Sequence, residues 1–223
     1  MNNILEIMKS RHSVRQYIDK PIPAEIRNKL DEYTNYLNKE GNLNIQIIYD
    51  EPKCFSSRMA SYGKFEGCSN YIALIGKKAK DLDERCGYYG EALVLKAQEL
   101  GLNTCWVALT HGKSMAKVAK DEEEVILISL GYGKHQGFAR RSKDIKDVSN
   151  VSVDSPSWFK EGVEAALLAP TAINQQKFYF ELLDNNVVKA KKGLIGPELN
   201  VDLGIVKYHF EVIAKKENFS WAK

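Results

Sequence analysis

Apolar residues recur every three or four positions in several stretches of the chain, which is the spacing of a buried helix face. In the first stretch, Leu30 and Leu37 lie on that face, Pro23 occupies the first turn and Gly41 provides a C-terminal stop. The pattern predicts helices over residues 23–41, 88–101, 158–169 and 201–216, and a shorter helix over 113–120.

Shorter apolar runs between these helices are typical of β-strands. Leu43, Ile45 and Ile47 alternate with polar residues, as on a strand with one buried face. Strands are predicted over residues 43–50, 71–76, 103–109, 124–133 and 177–184. Helices and strands therefore interleave without regular βαβ spacing, which predicts the α+β class.

Two segments show no period and are predicted to be irregular. Residues 51–69 are expected to form a long surface loop, and residues 137–157 a polar crossover. The length is suited to a single domain over 1–223, or to two related halves over 1–150 and 151–223.

The composition, with 44% hydrophobic and 27% charged residues, is that of an ordinary soluble globular protein. The net charge of +3 is too small to indicate nucleic acid or a membrane as a partner. No apolar run is long enough to cross a bilayer. The four cysteines are too widely spaced for a Cys-x-x-Cys pair, so we expect reduced thiols in a cytoplasmic protein.

The stretch "RHSVR", residues 11–15, gathers two arginines, a histidine and a hydroxyl. One interpretation is a solvated helix C-terminus, where basic side chains complement the dipole. The other is an extended segment that projects Arg11, Ser13 and Arg15 to one side, where two guanidinium groups and a hydroxyl suit a phosphate. The residues alone leave both interpretations open.

Two further stretches could contact a ligand. In "APTAINQQKF", residues 169–178, amide and hydroxyl groups follow a helix end and could face a polar heterocycle, or could simply form a polar turn. In "GLNTCWVAL", residues 101–109, the strand could offer backbone amides, whereas Trp106 is more typical of a core residue.

The familiar catalytic motifs are absent from the sequence. Gly131-x-Gly133 lacks the third glycine of a dinucleotide-binding loop, and no nucleophile elbow, zinc-protease motif or Walker loop occurs. The four histidines lack helical ligand spacing, so no metal site is predicted. If the protein is an enzyme, its difficult chemistry is expected to belong to a cofactor.

Four stretches together resemble the FMN-dependent nitroreductase family: "RHSVRQY", "GYYGEALVLKAQELGLNTCWVAL", "ISLGYGKHQGFARRSKD" and "APTAINQQKFYF". They span most of the chain between residues 8 and 180. The resemblance implies a nitroreductase-like α+β fold, with a central, mainly antiparallel sheet flanked by helices. It also implies an intertwined homodimer with two FMN sites, each built from both chains.

The resemblance further implies which residues contact FMN. The phosphate and ribityl chain fall to Arg11, His12, Ser13 and Arg15, and to Arg140 or Arg141. The backbone near the flavin N5 is that of Val107, Ala108 and Leu109. The turn that covers the flavin from the partner subunit matches Pro170, Thr171, Ala172, Asn174 and Gln176. Arg15 would be the cation near N1 and the pyrimidine oxygens.

Two features depart from the family pattern. In the common arrangement the Asn-x-Gln turn follows the first motif after one helix, whereas here it lies near the C-terminus. The family's Gln-Pro-Trp sequence is replaced by Gln176-Lys177-Phe178.

The implied activity is reduction of a small acceptor, such as a nitroaromatic or a quinone. NADH or NADPH would deliver hydride to FMN, leave, and be replaced by the acceptor in a ping-pong cycle. The alternative is a protein that stores, carries or senses FMN without turnover, with the loop over 51–69 closing the pocket. A structural domain with no cofactor would leave all four motifs as coincidence.

Overall fold

The computed structural model of the protein describes residues 4–222. Within this range the α-helices are α1 (Ile4–Ser10), α2 (Ala24–Gly41), α3 (Arg58–Tyr62), α4 (Leu82–Glu99), α5 (Ser157–Leu168) and α6 (Leu199–Ala214). The strands are β1 (Gln46–Ile48), β2 (Asn70–Lys77), β3 (Asn103–Val107), β4 (Glu122–Gly131), β5 (Phe178–Leu183), β6 (Val187–Lys192) and β7 (Ser220–Trp221).

The strands form two sheets, and antiparallel pairing dominates. The first has the order β1-β2-β4-β3, with every neighbouring pair antiparallel. The second has the order β5-β6-β7, in which β5 and β6 are antiparallel and β6 and β7 are parallel. The predicted α+β class with a mainly antiparallel sheet flanked by helices is confirmed.

Helices α4 and α6 cross at the centre of the molecule and join the two sheets. Gly87 of α4 faces the carbonyl oxygen of Val201, and Gly204 of α6 faces that of Glu84, so closely that a Cβ at either glycine would overlap backbone. Leu93 of α4 is fully buried. The sequence periodicity predicts both helices, although α4 begins six residues before the predicted start at 88. Glycine at the crossing lets the two backbones touch.

Two predictions about the segments between these elements are wrong in whole or in part. Residues 113–120 are not helical. Their backbone amides instead donate to side chains of β2 and β1, from Met115 to Tyr71 Oη at 2.8 Å and from Lys117 to Gln46 Oε1 at 2.9 Å. These tertiary bonds replace the local helical ones, which are weak in so short a segment.

The segment 51–69 is more than a surface loop, because it contains α3 and a small core of its own. Phe55 and Phe65 are buried with ring centroids 4.9 Å apart, and Phe55 packs on Tyr71 of β2 at 5.8 Å. The sequence pattern also fails to predict β6 and β7, which are polar or very short.

No helix among residues 4–222 combines the length and the apolar character needed to cross a membrane.

The glycine crossing gives a first testable prediction. We expect Gly204→Ala to lower the free energy of unfolding by about 3 kcal/mol or more, because the new methyl group meets rigid backbone of α4. Urea denaturation measures the change. Gly101→Ala is the control: Gly101 has φ +80° with no atom within 4 Å of the added Cβ, so it carries only backbone strain of about 1–2 kcal/mol. An equal loss of unfolding free energy in the two variants would contradict the close crossing of α4 and α6.

Candidate functional site

A cavity of about 260 Å³ lies between the edge of the first sheet and the N-terminal turns of α6. Predicted site residues from three separate stretches line it: Ser13, Arg15, Val107, Ala108, Leu109, Pro170, Thr171 and Ala172. Chain positions up to 159 residues apart, from 13 to 172, therefore meet at one place.

The segment after α1 lies in extended conformation along β3, which aims its side chains. Ser13 pairs with Thr104 in a parallel bridge, and Val14 N donates to Thr104 O at 3.0 Å. Val14 is buried, so Ser13 and Arg15 on either side of it face the cavity. The extended interpretation of "RHSVR" holds for Ser13 and Arg15, whereas Arg11 lines a separate cleft. The backbone N of Arg11 still bonds to Ile7 O at the helix end, but its side chain is buried rather than solvated.

A second cleft, of about 160 Å³, is lined by Arg11, His12 and Arg140. Arg11 is 3% exposed, and its Nε has no hydrogen-bond partner in the described part of the chain. Burial lowers the pKa of Arg11, although the Glu91 carboxylate partly offsets this effect. Burial and then the Arg11 charge lower the pKa of Arg140 to about 10. A buried Arg11 and a half-buried Arg140 that line the same cleft create a local positive potential that suits an anion.

Arg140 also stabilises the C-terminal end of α5. Its Nη2 donates to the carbonyl oxygen of Leu167 at 2.9 Å and to that of Ala169, and its Nη1 donates to Asn174 Oδ1 at 2.5 Å. Burial, Arg11 and Arg140 together lower the pKa of His12, which favours its neutral form.

Asn174 and Gln176, predicted to cover the flavin, lie in a third cleft with Arg141 rather than in the main cavity. Their side-chain amides both donate to Arg141 O, at 2.9 and 3.0 Å, and Gln176 Oε1 accepts from Lys143 N at 3.0 Å. These amides thus attach the crossover to the turn. Ile173, Asn174 and Gln176 all have positive φ, between 45° and 55°, a conformation that these tertiary bonds stabilise.

The N-terminal turns of α6 contribute cavity residues that the sequence analysis misses, among them Glu198, Asp202 and Ile205. Asp202 is 5% exposed and accepts hydrogen bonds from Ala172 N at 2.9 Å and from Gln175 Nε2 at 2.8 Å. Burial raises its pKa to about 6. The one available signal was an acidic residue within the apolar pattern "VDLGIV".

A buried carboxylate connects the cavity wall to the second cleft. Trp106 Nε1 donates to Glu91 Oε2 at 3.0 Å, and His209 Nε2 lies 2.9 Å from Glu91 Oε1. His209 Nδ1 lies 3.0 Å from Ala165 O. Arg11 Nε is 3.9 Å from the same carboxylate. Both Glu91 and His209 are fully buried.

The family described as "Putative TM nitroreductase" matches residues 3–214. No curated protein matches the chain. A solved structure, a putative nitroreductase from Thermotoga maritima MSB8, is 24% identical over 96% of this chain and 85% of its own, with a TM-score of 0.69.

Two other solved structures share the fold over a smaller part of this chain. A "Putative NADH dehydrogenase/NAD(P)H nitroreductase" from Parabacteroides distasonis ATCC 8503 is 17% identical over 70% of this chain and 99% of its own, with a TM-score of 0.53. A nitroreductase family protein from Clostridium difficile 630 is 17% identical over 70% of this chain and 100% of its own, with a TM-score of 0.52.

The family match covers nearly the whole chain, and the fold agrees with it. The protein therefore belongs to the nitroreductase family described as "Putative TM nitroreductase".

Proposed function

We propose that the protein is a flavoenzyme that binds FMN and uses NADH or NADPH to reduce a small acceptor, such as a nitroaromatic or a quinone. The observation that carries this proposal is that neighbouring residues of "RHSVR" line two different clefts. Arg11 and His12 line a cationic cleft, whereas Ser13 and Arg15 line the larger cavity beside it. A ligand with an anionic tail and a planar ring system would fit these two clefts, with the tail in the cationic cleft and the ring system in the larger cavity.

The cationic cleft suits the phosphate of FMN. Arg11 is almost fully buried, and its Nε makes no hydrogen bond and lies 3.9 Å from the Glu91 carboxylate. A bound anion would therefore compensate a cation that the protein itself neutralises only in part. Arg140 would support the same phosphate from the other side of the cleft while it continues to stabilise α5. Arg141, which lies in the third cleft, would act through the crossover backbone that it helps to position.

The larger cavity suits the ring system. Val107, Ala108 and Leu109 form one wall where β3 ends, and Pro170 to Ala172 form the opposite wall. Arg15, whose guanidinium carbon lies 6.0 Å from the centre of the Phe65 ring, would provide the cation for the pyrimidine edge. Phe65 belongs to the segment 51–69, so this segment closes one side of the cavity. Asn174 and Gln176 would act indirectly, by fixing the turn that ends in this wall.

FMN, when bound, supplies the capacity to accept hydride from a nicotinamide and to pass it to an acceptor. The protein's own residues bind, orient and exclude water. Asp202 positions Ala172 and Gln175, and thereby holds the turn against α6. Leu109 and Ile173, 78% and 86% exposed, provide an apolar rim against which a planar nicotinamide or acceptor could stack.

Turnover tests this function directly. We expect the FMN-loaded protein to oxidise NADH or NADPH in the presence of menadione or nitrofurazone, with parallel double-reciprocal plots because donor and acceptor use the same site in turn. Stopped-flow absorbance at the flavin band would follow each half-reaction. A protein that binds FMN but oxidises neither nicotinamide would be the storage, carrier or sensor alternative instead.

We expect Arg11→Gln to weaken FMN binding by about 10- to 100-fold, because it removes charge-assisted bonds to the phosphate. Fluorescence titration with FMN and with riboflavin measures the effect, and only FMN affinity should fall since riboflavin has no phosphate. Lys160→Gln, which removes an exposed positive charge on α5, is the control and should leave both affinities unchanged. Equal losses for FMN and riboflavin would contradict a phosphate site at Arg11.

Asp202 gives a pH-dependent prediction. The pKa of its carboxyl is raised from 3.8 to about 6, so the proton stabilises the folded state below about pH 4, and this contribution is lost as the pH rises through about 6. We expect Asp202→Asn, which cannot ionise, to gain stability relative to the wild type by up to about 3 kcal/mol between pH 4 and pH 8. Urea denaturation at several pH values measures the difference. A difference that is independent of pH would show that the carboxyl is not perturbed.

A further inference from the structure

The two parts of the chain repeat the same order of elements. When α1, α3 and β4 are left aside, the order before residue 150 is α2, β1, β2, α4 and β3, and the order after it is α5, β5, β6, α6 and β7. In each part the first two strands are antiparallel neighbours. In each part the last strand runs parallel to the second strand. In the second part, β7 pairs with β6 directly and in parallel. In the first part, β3 and β2 are parallel to each other because both are antiparallel to β4, which lies between them.

The crossing of α4 and α6 has the reciprocity of a two-fold axis. Gly87 faces the oxygen of Val201, which is three residues before Gly204, and Gly204 faces the oxygen of Glu84, which is three residues before Gly87. In an isologous interface, the same surface patch is used on both sides, so every contact occurs twice with the two sides exchanged. Here both sides belong to one chain.

The same relation extends to the turns that follow α2 and α5. Two residues before Gly204, Asp202 accepts from Ala172 N in the turn after α5. Two residues before Gly87, Arg85 donates to Gly41 O at 2.8 Å and to Asn42 O at 3.0 Å, after α2. Each side chain thus binds the turn of its own half.

The pseudo-symmetry gives the cavity a counterpart. A cleft of about 300 Å³ is lined by Glu84, Arg85 and Tyr88 of α4 and by Trp221 of β7. These positions correspond to Val201, Asp202 and Ile205 of α6 and to Trp106 of β3, all of which line the cavity.

Polar side chains that line this counterpart bond to one another. Tyr88 Oη donates to Glu211 at 2.6 Å, Trp221 Nε1 donates to the same carboxylate at 2.8 Å, and Lys207 lies 4.8 Å from the Trp221 ring centre while it bonds to Glu84 at 2.6 Å. The Arg-x-Ser-x-Arg sequence occurs once in the chain, beside β3. The counterpart cleft is therefore no smaller than the cavity, but it lacks this motif, and its polar side chains bond to one another.

The end of the first half also pairs with a strand of the second half. Phe180 N of β5 donates to Val148 O at 2.8 Å, and Asn150 N donates to Phe180 O at 3.2 Å, so the end of the first half extends the sheet of the second.

We propose that the chain is an internal pseudo-dimer of two halves, 1–150 and 151–223, which builds one flavin site in cis across the contact between α4 and α6. The turn over 170–176, expected from the partner subunit of a homodimer, is supplied by the same chain. The working unit is one chain with one cofactor. The identity of the ligand rests on the function proposed above, but the cis assembly does not.

Complementation between two defective chains separates a cis site from a shared one. Arg15→Ala damages the wall from the first half, and Ala172→Trp fills the cavity from the second half. In a shared-site homodimer, co-refolding the two variants at equal amounts would restore about one quarter of the FMN sites, since half of the dimers are mixed and each holds one intact site. We expect no restoration. Recovery near one quarter would overturn the cis site.

Sedimentation and FMN titration test the proposal independently of the complementation experiment. Sedimentation of the apoprotein from nanomolar to 100 micromolar concentration should give a single species near 25.2 kDa, a readout that needs no FMN. Titration should reach one FMN per chain, and two per chain would overturn the single site, because the counterpart cleft would then also bind FMN. A stable two-chain species without complementation would overturn the one-chain working unit but keep the cis site. If the wild type binds no FMN, the proposed function fails, while the sedimentation result still decides the assembly.

Discussion

The arrangement of the site depends on one fully buried carboxylate, that of Glu91. A buried charge without partners costs several kcal/mol, so Trp106, His209 and Arg11 have to stay around it. Trp106 belongs to the cavity wall, Arg11 to the cationic cleft and His209 to the helix that carries the opposite wall. A single electrostatic requirement therefore fixes three parts of the site relative to the core, and packed helices and strands support the turns that complete the site.

The sequence predicts the local parts of this site and misses those that depend on tertiary contacts. Ser13, Arg15 and the end of β3 follow from an extended segment and an alternating strand, where side-chain direction is set by the backbone alone. The direction of Asn174 and Gln176 depends on positive φ values that no residue type there demands, so their placement in a different cleft could not be read from the pattern. Asp202 reaches the cavity only because α6 packs on α4, a contact between distant segments.

The wrong helix over 113–120 has the same origin. Its Lys, Ala and Met residues favour a helix weakly, but Tyr71 and Gln46 offer the backbone stronger partners across the sheet. The family resemblance adds what propensities lack, namely which distant stretches act together. It also carries the expectation of a partner subunit, whereas the reciprocal contacts of α4 and α6 give this chain an interface of that kind within itself.

The glycine crossing has a mechanical consequence for the ligands that the cavity can accept. Because the backbones of α4 and α6 touch there, the wall carried by α6 cannot move towards or away from the first sheet without unpacking the centre of the molecule. The width of the slot is therefore a fixed dimension, suited to flat molecules. Under the proposed function, a larger acceptor would be accommodated at the rim, where the Leu109 and Ile173 side chains are exposed, rather than at the cavity floor.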